Sequence, residues 1–134
     1  MITLDQYFAG YGGHIEITNA HRLNAAKLLA RVNGLLALAE AAGIKPTIHR
    51  NTHTEVSTSD GGWRPQSCPI GAALSSHKQG MAVDVCDVGN HLDSWITDKM
   101  LEDAGLYREA PTSTNNWCHL TTRAPGSGRR TFVP

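Results

Sequence analysis

The apolar stripe between residues 18 and 42 constrains the fold most. Leu28, Val32, Leu35, Leu36 and Ala39 recur at three- and four-residue intervals, so they fall on one side of a helix. Thr18 or Asn19 caps its start, Gly43 supplies its stop and Pro46 forbids continuation. Such a helix is stable only against another layer that covers its apolar face. The chain of 134 residues suits one compact domain, 1–134, able to bury its own core.

The remaining pattern supplies that layer. Residues 1–17 are short and Gly-rich and read as a turn, with Leu4, Tyr7 and Phe8 packed on the body. Residues 46–60 read as extended segments broken by Asn51 and Asp60, which suggests a short hairpin. Gly61-Gly62-Trp63-Arg64-Pro65 is a turn signal and residues 66–76 a loop. Residues 81–86 alternate, so Met81, Val83 and Val85 share one face of a strand and Ala82, Asp84 and Cys86 the other. A second helix is expected over 91–104, with Leu92, Trp95, Ile96 and Leu101 inward and Gly105 at its end. Residues 117–121 read as a final core strand, residues 126–130 as a loop and residues 131–134 as an edge strand. The expected class is α+β: an antiparallel sheet with helices packed on one face.

Composition excludes several functions. Twelve basic and twelve acidic residues cancel, so there is no basic footprint for nucleic acid and no polybasic membrane anchor. No window approaches a membrane span. Three cysteines without CxxC spacing argue against a disulfide framework and a cysteine-rich zinc knuckle, and fit synthesis in a reducing compartment. The start, Met1 to Asp5, lacks the basic and apolar regions of a signal peptide. Seven histidines are the unusual entry, because histidine is the commonest metal ligand.

The informative stretch runs from Ser76 to Asp84. His77 sits in a loop, Gly80 permits a sharp turn, and Asp84 follows on a core strand. A carboxylate there is costly unless paired or metal-bound. Downstream, Trp117-Cys118-His119 places another imidazole on a core strand. Two imidazoles and one carboxylate leave a tetrahedral zinc one open position, the catalytic pattern. The bland alternatives are a surface histidine, a salt-bridged aspartate and a core histidine beside Trp117.

Together these segments resemble a known family. Ser75 to Val85 followed by Trp117-Cys118-His119 is similar to the Ser-x-His-x-x-Gly-x-Ala-x-Asp and Trp-x-His signatures of zinc D-alanyl-D-alanine carboxypeptidases and related peptidoglycan endopeptidases. That group shares its fold with the hedgehog signalling domain. Gly62-Trp63-Arg64 resembles the segment that precedes the family's first histidine, and the opening, the long helix and the tail are similar to small phage and prophage members.

The resemblance implies one zinc ion held by His77, Asp84 and His119. It implies that Arg64 binds a substrate carboxylate or polarises the scissile carbonyl, with Trp63, Ser76 and Trp117 beside the substrate. Many relatives place a glutamate three residues before the last histidine, where this chain has Asn116. Glu109, in a Glu-x-Pro resembling that of the phage-type relatives, is the candidate general base; the alternative is an exposed side chain after the second helix.

Asp87 either caps a turn or hydrogen-bonds a ligand imidazole, the turn being the simpler role. His49 or His53 is the histidine expected to line a cleft, Cys118 is expected to face away from the metal, and Cys86 to share the face of Asp84. The implied function is cleavage of a peptidoglycan stem peptide by a monomer made in the bacterial host cytoplasm, acting on the wall after release or within a virion. Alternatives are a zinc-holding structural or recognition module without catalysis, as Asn116 permits, and a virion assembly protein with an incidental metal.

Overall fold

The computed structural model describes residues 1–71 and 75–134. Among the described residues, three short α-helices and one long one accompany a four-stranded sheet. In chain order they are α1 (Leu4–Phe8), α2 (Asn19–Ala41), β1 (Ala82–Cys86), α3 (His91–Trp95), α4 (Asp98–Ala104), β2 (Tyr107–Glu109), β3 (Trp117–Thr121) and β4 (Thr131–Phe132). The strand order is β1-β3-β2-β4. This is mixed helix and sheet, as expected for α+β. Among the described residues, no helix is long and apolar enough to cross a membrane.

Helix α2 follows from local chemistry. The Thr18 hydroxyl accepts the His21 N–H, and the His21 ring accepts the Thr18 N–H, so two otherwise unpaired donors are satisfied. Ala25, Leu28, Leu29, Val32, Leu35, Leu36 and Ala39 are buried and form its inward stripe. At the end, Gly43 adopts a left-handed φ of 81°. Its N–H bonds Glu40 O and the Ile44 N–H bonds Ala39 O, a paired closure that ends the helix.

Strand β1 buries Val83 and Val85, and β3 buries Cys118 and Leu120, on the side facing α2, α3 and α4. Leu28, Leu35, Leu92 and Leu101 meet them in one apolar cluster. Asp84 and His119 therefore project from the opposite face, by simple strand alternation.

Several expectations need correction. The first residues hold a short helix rather than a turn: the Thr3 hydroxyl and the Gln6 side chain cap each other's backbone at the start of α1. Tyr7 and Phe8 are buried as expected, but Leu4 is exposed. Residues 46–60 form no hairpin. The segment lies along the outer edge of β1 instead, with Thr47 N–H to Cys86 O, Cys86 N–H to Glu55 O and Ser57 N–H to Asp84 O. Thr52 and Thr54 hydroxyls bond backbone groups of their own loop, which offers that backbone an alternative to a ladder.

The helix over 91–104 is two helices. Ile96 is extended, and Thr97 restarts the chain by accepting the Met100 N–H on its hydroxyl. Strand β2 has no counterpart among the sequence expectations. The sheet is also not wholly antiparallel, since β4 runs parallel to β2.

Candidate metal centre

The site is a consequence of strand register. Asp84 on β1 lies opposite His119 on β3. On the other side of β3, Tyr107 pairs Thr121 and Arg108 pairs Leu120, so the next step places Glu109 opposite His119. Glu109 in turn pairs Phe132 on β4. Asp84, His119, Glu109 and Phe132 thus form one crosswise row over all four strands. Directly opposed residues share a face, so all four side chains stand on the same side.

His77 joins this row from the turn Ser76–Gln79. The Ser75 hydroxyl accepts the His77 N–H, and Gly80 closes the turn with φ of 74°. A Cβ at Gly80 would stand 2.7 Å from His21 O, so the turn and helix α2 touch at a point only glycine allows. His77 Nδ1 lies 2.8 Å from Gly62 O. A carbonyl only accepts, so Nδ1 carries the proton and Nε2 offers its lone pair to the site. Gly62 is itself pressed against the chain: a Cβ there would stand 2.0 Å from Tyr7 O.

Asp84 Oδ1 lies 3.3 Å from His77 Nε2 and 2.8 Å from His119 Nδ1. One ligand atom from each of His77, Asp84 and His119 lies within 4.8 Å of the other two. The second carboxylate oxygen, Oδ2, lies 3.3 Å from Arg64 Nη2. Arg64 Nε also donates to Asp60 O at 2.6 Å. The donor set fits one metal ion: two imidazole nitrogens and one carboxylate oxygen converge, and the remaining polar atoms of His77 and Asp84 are anchored elsewhere.

Electrostatics fit the same reading. Burial alone would raise the Asp84 carboxyl, but the His77 and His119 imidazoles outweigh it and hold it well below the usual carboxylate range. Burial disfavours charge on His119, yet its hydrogen bond to Asp84 prevails and raises its pKa above 6.5. Burial also raises the Glu109 carboxyl, with His119 opposing and Asp84 assisting. Glu109 Oε2 stands 3.9 Å from His119 Nδ1.

The row opens into a cavity of about 610 Å³. Arg64, Ser75 and Ser76 line it beside His77; Trp117 and Phe132 form an aromatic wall. The Phe132 ring meets the His119 ring edge-on, 6.4 Å between centroids at 88°.

Of the residues singled out in the sequence, the structure brings His77, Asp84, His119, Arg64, Glu109, Ser76 and Trp117 around this cavity. Trp63 is not among them. It is 1% exposed, packs on Phe8, Tyr11 and His14, and donates its indole N–H to His21, so its role is in the core. Asp87 does not reach a ligand imidazole: its two oxygens accept the N–H groups of Leu92 and Asp93 and start α3. His49 and His53 do not line the cavity. Cys118 is fully buried on the far face, as alternation requires, and Cys86 accepts from the Thr47 hydroxyl.

Asn116 has a structural explanation. Its φ is 71°, a left-handed conformation that asparagine tolerates and glutamate does not favour. Its side chain accepts the Gly89 N–H. The position belongs to a turn, and the acid near the donor set comes from β2 instead. Sequence reasoning missed Phe132, whose place over His119 follows from the parallel β2–β4 register. It also missed the carbonyls of Gly62 and Asp60, which carry no side-chain signal. Compared with protein-family models, curated proteins and solved structures, the chain finds no match.

Proposed function

We propose that the protein is a zinc-dependent peptidase acting on the stem peptides of peptidoglycan. The observation that carries the reading is the register row: a partly buried carboxylate, Glu109, stands next to a convergent His-Asp-His donor set at the floor of an open cavity. A structural zinc site closes its coordination with four protein ligands. Here three donors face a cavity large enough for a peptide segment. The motif resemblance supplies the substrate class and the setting, wall degradation by a phage or prophage product.

His77, Asp84 and His119 would hold the ion. When bound, zinc supplies a Lewis acid that polarises a carbonyl and acidifies water. Glu109 accepts the proton of the attacking water and returns it to the leaving amine. Partial burial, which raises this carboxyl in the metal-free chain, favours that exchange over an ordinary surface glutamate. Arg64 fixes the second oxygen of Asp84 and brings positive charge to the cavity wall, where oxyanion charge develops. Trp117 and Phe132 give the peptide an apolar wall to lie against.

The test is hydrolysis of muropeptides by the zinc-loaded protein, read by product mass, beside Glu109→Gln. Cleavage by the wild type and its loss in Glu109→Gln support the reading. An absence of cleavage from a protein that holds zinc stoichiometrically points to a zinc-bearing recognition module instead.

A further inference from the structure

The proposed chemistry uses only one face of the outer strands. The opposite face of β2 carries a buried charge that this chemistry leaves unexplained. Arg108, whose side chain is 10% exposed, pairs with Asp93, whose side chain is fully buried. Its Nη1 donates to Asp93 O at 2.6 Å and lies 3.4 Å from Asp93 Oδ1. Its Nε donates to Thr131 Oγ1 at 3.1 Å, and that hydroxyl donates to Asp98 Oδ1 at 2.6 Å. Thr114 Oγ1 donates to Asp93 Oδ2 at 3.1 Å, and Asp87 holds the Asp93 N–H. One guanidinium therefore ties β2 to α3, to β4 and, through Thr131, to the first residue of α4.

The outer half of the sheet needs such a tie. β4 has two residues and β2 has three. They are joined by the Arg108 N–H to Arg130 O and the Ala110 N–H to Phe132 O. Strands this short fray unless something else holds them. Apolar packing would serve stability at lower cost, since a buried ion pair gives up hydration. A fork-shaped donor with fixed geometry instead dictates where a strand lies. By contrast, Asp84 and His119 stand on the five-residue ladder of β1 and β3.

We propose that Arg108 is a positioning residue that clamps β2 and β4 against α3 and α4, and thereby sets where Glu109 and Phe132 stand relative to the donor set. The function of this clamp rests on the reading of Glu109 as the base. The inner half of the sheet, with two of the three metal donors, has its own five-residue ladder between β1 and β3, and the clamp's Asp93 touches it at the Cys118 thiol.

The experiment compares wild type, Arg108→Lys and Thr131→Val by amide hydrogen exchange, zinc affinity from chelator competition, and muropeptide kinetics. Arg108→Lys keeps the charge and loses the fork; Thr131→Val leaves the ion pair whole and cuts the link to β4, so it remains informative if the first variant does not fold. Exchange at the Arg108 and Ala110 amides is expected to accelerate at least about tenfold, with the β1–β3 ladder amides unchanged. Zinc affinity is expected to stay within about threefold while kcat falls about tenfold or more, more than KM changes. Exchange that accelerates uniformly, or not at all, overturns the clamp, as does zinc affinity that falls in step with kcat. A wild type that cleaves nothing, with exchange still localised to β2 and β4, leaves the clamp standing and removes the peptidase reading.

Discussion

At the scale of single residues, the site depends on which atom of each side chain is already engaged. His77 commits Nδ1–H to Gly62 O, and Asp84 gives Oδ2 to Arg64, so Nε2 and Oδ1 remain to converge. Glu109 adds a carboxylate without being one of the three donors. Glu109→Gln is expected to keep zinc binding within a fewfold and to lower kcat by about a hundredfold or more, the scale of a lost general base. Steady-state kinetics on zinc-loaded protein checks this. The base must be deprotonated, so activity is lost as pH falls through the Glu109 pKa, which burial raises in the metal-free chain and a bound cation would lower. Metal binding has its own dependence. Protons compete for His119, whose metal-free pKa is raised above 6.5 because the Asp84 bond outweighs burial. Apparent zinc affinity is therefore expected to weaken as pH falls through that raised value, measurable by chelator competition at a series of pH values.

At the scale of elements, local signals decided some features and tertiary context others. The α2 stripe and its caps were legible, because a 3.6-residue period and a Gly43 stop are local properties. Leu28→Ala or Leu35→Ala, at fully buried positions, is expected to cost about 2–5 kcal/mol in denaturant unfolding. The break at Ile96–Thr97 was not read, although Thr97 is a good helix cap preceding an acidic first turn. Thr97→Ala is expected to cost about 1 kcal/mol, seen as a lower Tm with no change in zinc affinity. Strand β2 was not legible at all. Three residues are too few to show alternation, and Arg108 at its buried position reads as polar until its partner Asp93 is seen. The segment 46–60 looked like a hairpin because it is rich in β-branched residues. Its backbone instead meets β1, a choice that depends on an edge elsewhere in the chain.

At the scale of the whole molecule, His77 and Asp84 come from a turn and the strand that follows it, His119 comes from a strand far downstream, and the β1–β3 register brings them together. Their identity was legible from residue types and motif spacing. Their relation to Glu109 and Phe132 was not, because register is a property of paired strands rather than of either strand alone. Trp63 shows the converse. The resemblance implies substrate contact for it, but this large aromatic side chain packs in the core, with its N–H on His21. The sharpest single measurement is the metal content of the purified chain after zinc reconstitution, determined for wild type and for Asp84→Ala. Expected is one zinc per wild-type chain and a loss of at least about tenfold in affinity for the variant, both proteins folded by circular dichroism. A wild type that binds well under one zinc per chain, or an Asp84→Ala variant that binds as tightly, would contradict the centre described here.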